Sequence, residues 1–160
     1  AALHKLNDEA RALATLQRSL ALFEELGDRV GMALAHATLG MTRLDDQRPA
    51  RAAEHLARAL HLSQMTGDKR RAAFALEGLA GALAGSQPVT AARLFGTAQA
   101  VREAIGAPAP ATESASRAAT RKALLAALGE AGYETEFSHG QCWTLAEACR
   151  HVQDGNGSTG

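Results

Sequence analysis

Aromatic side chains are nearly missing from this 160-residue chain: one Trp, one Tyr and four Phe amount to 4%, although 46% of the residues are hydrophobic. Sheet cores draw on aromatic and β-branched residues, so a core of this composition, with 37 alanines, points to closely packed helices instead. Net charge is missing as well. Lys plus Arg and Asp plus Glu both number 17, which leaves a weak long-range field and argues against nucleic-acid contact through a basic surface. Cysteine is confined to Cys142 and Cys149, and a chain of this length buries a core without staples. No apolar run approaches the roughly 20 residues of a membrane span. Ala1 to Leu6 gives way at once to Asn7-Asp8-Glu9, which is no signal peptide, so a reduced, cytoplasmic setting is expected. The abrupt start without Met suggests a segment of a longer chain.

What the sequence does contain is a repeat. Gly27-Asp28 recurs as Gly67-Asp68, 40 positions on, and the apolar residues between follow in register: Leu20 with Leu60, Leu22 with Leu62, Ala35 with Ala75, Leu39 with Leu79. A third copy aligns at a shift of 39, setting Ala59 on Ala98, Leu62 on Val101 and Gly67 on Gly106. Each period holds two helical patterns, broken at Asp45-Asp46-Gln47-Arg48-Pro49 and again at Gly85-Ser86-Gln87-Pro88. Proline is tolerated in a first helical turn, where its missing N–H has no partner to lose, so these breaks mark helix starts. Ala52, Leu56, Ala59, Leu60 and Ser63 fall at spacings of three and four and form one apolar stripe.

These residues resemble the tetratricopeptide repeat family, whose motif places a Leu-Gly pair in the first helix and two alanines seven apart in the second. Leu39-Gly40, Ala52, Leu56 and Ala59 match it, with Ala12 and Ser19, then Ala91 and Ala98, at the small positions of the flanking copies. Small residues there let neighbouring helices approach closely. The period near 40 exceeds the usual 34 or so, and His36 stands where the family has an aromatic residue. The resemblance implies an all-α, right-handed superhelix of antiparallel helix pairs. The longer period is similar to that of large bacterial transcription activators.

The expected organisation is repeats over 1–106, a Pro/Ala connector over 107–112, a helical cap over 113–153 and a disordered Gly-rich tail over 154–160. Thr112-Glu113 is expected to start a helix with the threonine hydroxyl as cap, and Leu124, Leu125 and Leu128 to be its core contacts. Thr144-Leu145-Ala146-Glu147 has the form of a capping box opening a helix to about Val152. The run from Ala92 to Pro108, with Leu128-Gly129, Gly140 and Thr144 to Ala148, resembles the C-terminal ending of bacterial regulators. There a DNA-binding domain and a STAND-type ATPase precede a repeat arm.

Candidate chemistry is sparse. His139, Cys142, Cys149 and His151 carry zinc-type donors, but their spacing lacks the close pairs of structural zinc sites, and a buried cysteine is commonly a small hydrophobe. Trp143, before the capping Thr144, is expected to staple the last helix to the body, with Tyr133 and Phe137 in the same small core. No nucleophile–base motif and no phosphate- or dinucleotide-binding glycine pattern occurs, so no catalytic residue and no cofactor is expected. Lys69-Arg70-Arg71 reads as a solvated helix end.

The family's groove positions, carried onto this sequence, are Leu34, Ala37, Met41, Phe74, Glu77 and Gly81, a mostly apolar lining. The expected function is therefore a non-enzymatic interaction or effector-sensing arm of a multidomain transcriptional regulator. Its partner would be a protein, the upstream domains of the same chain, or a small effector, without direct nucleic-acid or membrane contact. A scaffold module of a kinase- or cyclase-linked signalling protein is the alternative, and a small metal-dependent enzyme a more distant one. Leu3, Leu6 and Leu13, lacking a preceding neighbour, are expected to permit dimerisation through the first repeat.

Overall fold

The computed structural model describes residues 2–157, and all regular structure among them is helical. In chain order come α1 (Ala2–Leu26), α2 (Arg29–Asp45), α3 (Pro49–Thr66), α4 (Lys69–Leu83), α5 (Pro88–Ile105), a 3-10 turn (Ala111–Glu113), α6 (Ser114–Gln141) and α7 (Leu145–Gly157). None of the described helices is long and apolar enough to cross a membrane. Each of the first five packs on its successor; α2 also touches α4, α4 touches α6, and α7 returns to α3 and α5.

The sequence period is a period of turns. Gly27, Gly67 and Gly106 all adopt left-handed conformations, with φ of 66°, 72° and 63°, which glycine enters without steric cost. In each turn the next amide folds back onto the helix just ended: Asp28 N donates to Phe23 O, Asp68 N to Ser63 O and Ala107 N to Arg102 O. Asp28 and Asp68 then cap the following helix, accepting from Gly31 N and Arg71 N, each at 3.0 Å. After Gly106 the cap residue is Ala107 and prolines follow, so the chain runs extended before it can coil again. Pro49 and Pro88 occupy first turns, as expected.

Two expectations need correction. Thr112 lies within the 3-10 turn and makes no capping bond; α6 begins at Ser114, whose hydroxyl donates to Ala111 O at 2.8 Å. The last helix continues past Val152 to Gly157, so 154–157 are helical rather than a disordered tail, and 158–160 lie outside the described residues. The capping box at its start forms as expected: Glu147 N donates to Thr144 Oγ1 at 3.1 Å and Thr144 N to Glu147 Oε2 at 2.8 Å.

α6 is not one rod. Gly129 interrupts it with φ 73° and ψ 169°, a conformation open essentially to glycine alone. Arg121 sits 5.8 Å from the Tyr133 ring, and Phe95 touches both Arg117, at 5.1 Å, and Phe137, at 5.9 Å. Residues twelve apart on a straight helix would be about 18 Å apart. The arms 114–128 and 130–141 are therefore antiparallel, a further helix pair laid on α5. The second arm meets α5 backbone to backbone, because a Cβ on Gly96 would strike the Phe137 carbonyl and one on Gly140 the Arg93 carbonyl. Thr97 Oγ1 seals this crossing, donating to Gly140 O at 2.8 Å.

The main core joins α2, α3, α4, α5 and α7 around Leu56, Leu60, Leu76, Leu79 and Leu94. Leu56 is its centre: a Cβ at Gly40 would lie 2.5 Å from Leu56 Cγ, and one at Gly78 would lie 2.9 Å from both Leu56 methyls. A second cluster gathers Phe95, Leu124 and Tyr133, with Leu125, Leu128 and Phe137 partly buried against it. At the other end α1 buries nothing: Leu3 is 84% exposed, and Leu22 is 58% exposed where its counterpart Leu62 is 5%.

Leu56→Ala should cost about 2–5 kcal/mol and Gly40→Ala about 1–3 kcal/mol in urea denaturation. Because the shorter side chain vacates the space that the new methyl needs, the double variant should be less destabilised than the sum by more than about 0.5 kcal/mol.

Candidate functional site

A concavity of about 500 Å³ opens between α2, the N-terminal turns of α4 and the connector after α5. Leu34, Ala37 and Thr38 come from α2, Arg70, Arg71 and Phe74 from α4, and Gly106, Ala107, Pro108 and Pro110 from the connector. Arg70 and Phe74 are four residues apart on α4 and so share a face. Lys69 and Arg70 are exposed in the first turn of α4, as a solvated helix end should be, and Arg70 also borders the cavity. The lining is thus less purely apolar than the groove positions alone suggest.

A buried charge cluster holds the connector wall. Arg102, 4% exposed, donates from Nε to Glu77 Oε1 at 2.5 Å and from Nη2 to Glu77 Oε2 at 3.1 Å and Glu113 Oε2 at 3.2 Å. Arg117 on the first arm of α6 pairs with the same Glu77. Hydrogen bonding to Glu77 raises the Arg102 pKa above its ordinary value, holding the guanidinium charged. The Glu113 carboxyl is pushed up, first by burial and then by the Glu77 charge, against the pull of Arg102 and Arg117. Two carboxylates and two guanidiniums thereby tie α4, α5, the 3-10 turn and α6 together.

The six groove positions divide between two environments. Leu34, Ala37 and Phe74 line the cavity; Met41 and Glu77, with Phe74 at the boundary, line a smaller crevice shared with Ser116, Arg117 and Thr120 of α6. Gly81 lies under α6, since a Cβ there would be 3.1 Å from Thr120 Oγ1 and 3.2 Å from a Leu44 methyl. Glu77 is spent on internal ion pairs. The first arm of α6 covers α4 at these positions, which no pattern within α4 itself reveals.

Between α2 and α3, His36 meets His55 with Nδ1 atoms 3.1 Å apart, one ring donating and the other accepting. His36 is pushed down to about 4 by burial, then by His55 and Arg58. His55 is lowered by burial and by Arg43 and Arg51, opposed by Glu54. The substitution of a histidine for the aromatic was visible in the sequence; its partner, 19 residues away, was not.

The zinc-type residues do not converge, and no group of three or more candidate ligands occurs among the described residues. Cys149 is buried, its thiol pushed up to about 11 by burial, while Cys142 is exposed. His139 is largely exposed, and His151 stacks on Trp143 with ring centroids 4.1 Å apart and planes within 3°. Trp143 thus packs the last helix onto the core, as expected.

Comparison of the chain with protein-family models, curated proteins and solved structures finds no match.

Glu77→Ala leaves Arg102 buried without its main partner and should cost about 3–5 kcal/mol in chemical denaturation. The histidine pair predicts a pH effect of definite sign. With the folded pKa of His36 near 4 and the ordinary value at 6.5, the folded state binds fewer protons; stability is full above pH 6.5 and falls as pH drops towards 4. The double variant His36→Gln, His55→Gln should lose less stability over that window than the native chain, read as thermal midpoints at matched ionic strength.

Proposed function

We propose that this chain is a non-enzymatic binding module, a tetratricopeptide-like right-handed array serving as the sensor arm in the C-terminal part of a multidomain bacterial transcriptional regulator. Occupancy of the arm by a partner or small effector would bias the state of the other domains. Such a switch works only if the occupant binds the two states with different affinity.

Three features support the array. Glycine turns with aspartate caps recur at the 40-residue period. Leu39, Ala52, Leu56 and Ala59 are all buried between helices. Helices α2, α4 and α6 follow one another in next-neighbour contact, with α3 packed on both α2 and α4 and α5 on both α4 and α6. The observation that carries the binding role is the cavity itself, where residues from successive periods, Leu34 and Ala37 from one and Phe74 from the next, face a common space. Repeat arrays bind along such surfaces. The regulator assignment rests on the resemblance of the segments from Ala92 to Pro108 and Thr144 to Ala148.

The test is Phe74→Asp in the full parent protein, reading transcription of its target genes and DNA binding in parallel. Signal-dependent transcription should fall by at least about fivefold, the lower end of typical allosteric coupling, with DNA binding retained. Unchanged transcription, or a parent with no effect on transcription at all, would overturn the regulator reading.

A further inference from the structure

We infer that the cavity between α2, α4 and the 106–110 connector is a binding site for a small organic anion carrying one negative charge on an apolar body. This rests on the reading of the chain as a binding module and names the chemistry of the occupant.

Size comes first. A volume of about 500 Å³ falls within the roughly 300–1,000 Å³ of small-molecule sites. One wall is apolar, with Phe74 on α4, Leu34 and Ala37 on α2, and Pro108 and Pro110 opposite. Leu34 is 50% exposed at the rim, so an apolar occupant would cover a surface now in water. The prolines fix the connector's backbone angles, which lowers the ordering cost of closing that wall on a ligand.

The sign of the ligand follows from the charges around the space. Three guanidiniums line it, Arg70, Arg71 and Arg102, against two carboxylates, Asp68 and Glu113. Arg71 is held by Asp68 at 2.7 Å, and Arg102 is shared between Glu77 and Glu113. Behind the wall, Glu77 and Arg117 balance each other. Arg70 makes no ion pair among the described residues, so one positive charge is left over at the mouth. The wall supplies a second donor. Arg102 Nη1 reaches only Ala107 O, at a long 3.4 Å, although this side chain is 4% exposed and lines the cavity. A buried donor this poorly matched gains from a new acceptor, and guanidinium groups suit carboxylate, sulfonate and phosphate oxygens. Asp68 and Glu113 flank the space and oppose a second negative charge. Cations are disfavoured by the same excess.

The apolar body would rest on Phe74 and Leu34 with the anionic head towards Arg70 and Arg102. Two probes of matched body separate charge from apolar contact: 8-anilinonaphthalene-1-sulfonate and the uncharged N-phenyl-1-naphthylamine, both read by fluorescence titration. The folded chain should bind one equivalent of the sulfonate and bind it more tightly than the neutral amine. Arg70→Gln should weaken the sulfonate about tenfold, as expected for a hydrogen bond to a charged group, and leave the amine within about twofold. Phe74→Ala should weaken both. The exposed leucines of α1 are the competing apolar surface, so Leu3→Ser, Leu26→Ser should leave sulfonate binding unchanged. The inference fails if the sulfonate does not bind, if the two probes bind alike and Arg70→Gln affects neither, or if the α1 variant abolishes the signal. Because these titrations need neither DNA nor the parent protein, their failure is distinguishable from failure of the regulator reading, which the transcription assay decides.

Discussion

Leu56 stands between two glycines, and the rest of the molecule is arranged around that fit. Its side chain fills the space that a Cβ on Gly40 or on Gly78 would take, so α2 and α4 both close on α3 at one level. Alanines at 52, 59, 72 and 75, all fully buried, extend the same close approach above and below. A core of small residues gains less per side chain from burial than an aromatic one, but it brings helix surfaces near enough for dispersion contacts along their length. That trade explains how a chain with six aromatic residues holds the seven described helices together. It also fixes relative positions: once α2 and α4 are set on α3, the separation of Leu34 and Phe74, and hence the width of the cavity, is determined.

The second constraint is electrostatic. Glu77, Arg102, Glu113 and Arg117 come from four successive pieces of chain and share one buried site. Burying charges costs solvation that pairing largely offsets, so such a cluster contributes little net stability while tolerating few alternative arrangements. Its consequence here is placement. The connector has no regular hydrogen bonding of its own between Gly106 and Ala111, and Arg102, reaching Ala107 and Glu113 from α5, ties both ends of that stretch. The wall of the cavity is therefore positioned by groups that also anchor α6. A ligand that drew on Arg102 would act on the same cluster that holds the last helix pair, a direct physical route from occupancy to the geometry of the C-terminal third.

The two ends of the molecule differ for a related reason. α7 folds back and covers α3 with Ala148 and Cys149, and α6 closes α5 through the crossing at Gly96 and Gly140. Among the described residues α1 packs chiefly on α2. The comparison of Leu22 with Leu62, identical residues at equivalent positions, isolates what a covering neighbour does, because the local helix is the same in both.

Much of the local structure was legible in the residues themselves. Helix breaks at Gly27, Gly67 and Gly106, starts at Pro49 and Pro88, and the box at Thr144 and Glu147 are short-range events set by backbone sterics and nearby hydrogen bonds, and sequence spacing reports them directly. Thr112 was misjudged because Glu113 has a distant partner, Arg102, that a local rule does not see. The bend at Gly129 was marked only by a glycine; it is the contact of both arms with Phe95 that shows the chain reversing there. Leu34, Ala37 and Phe74 were expected at a groove only through the resemblance to the repeat family, whereas Glu77 and Gly81 could not be recognised as covered, nor His55 as the partner of His36. By itself the sequence determined the helices, their period and the stripe of small residues that packs them, since these depend on neighbours within a turn or two. Only the tertiary structure decided how Glu77, Arg102, Glu113 and Arg117 pair across four elements, which groove positions stay open and that Arg70 has no counter-ion among the described residues, because those depend on groups brought together from different elements of the fold.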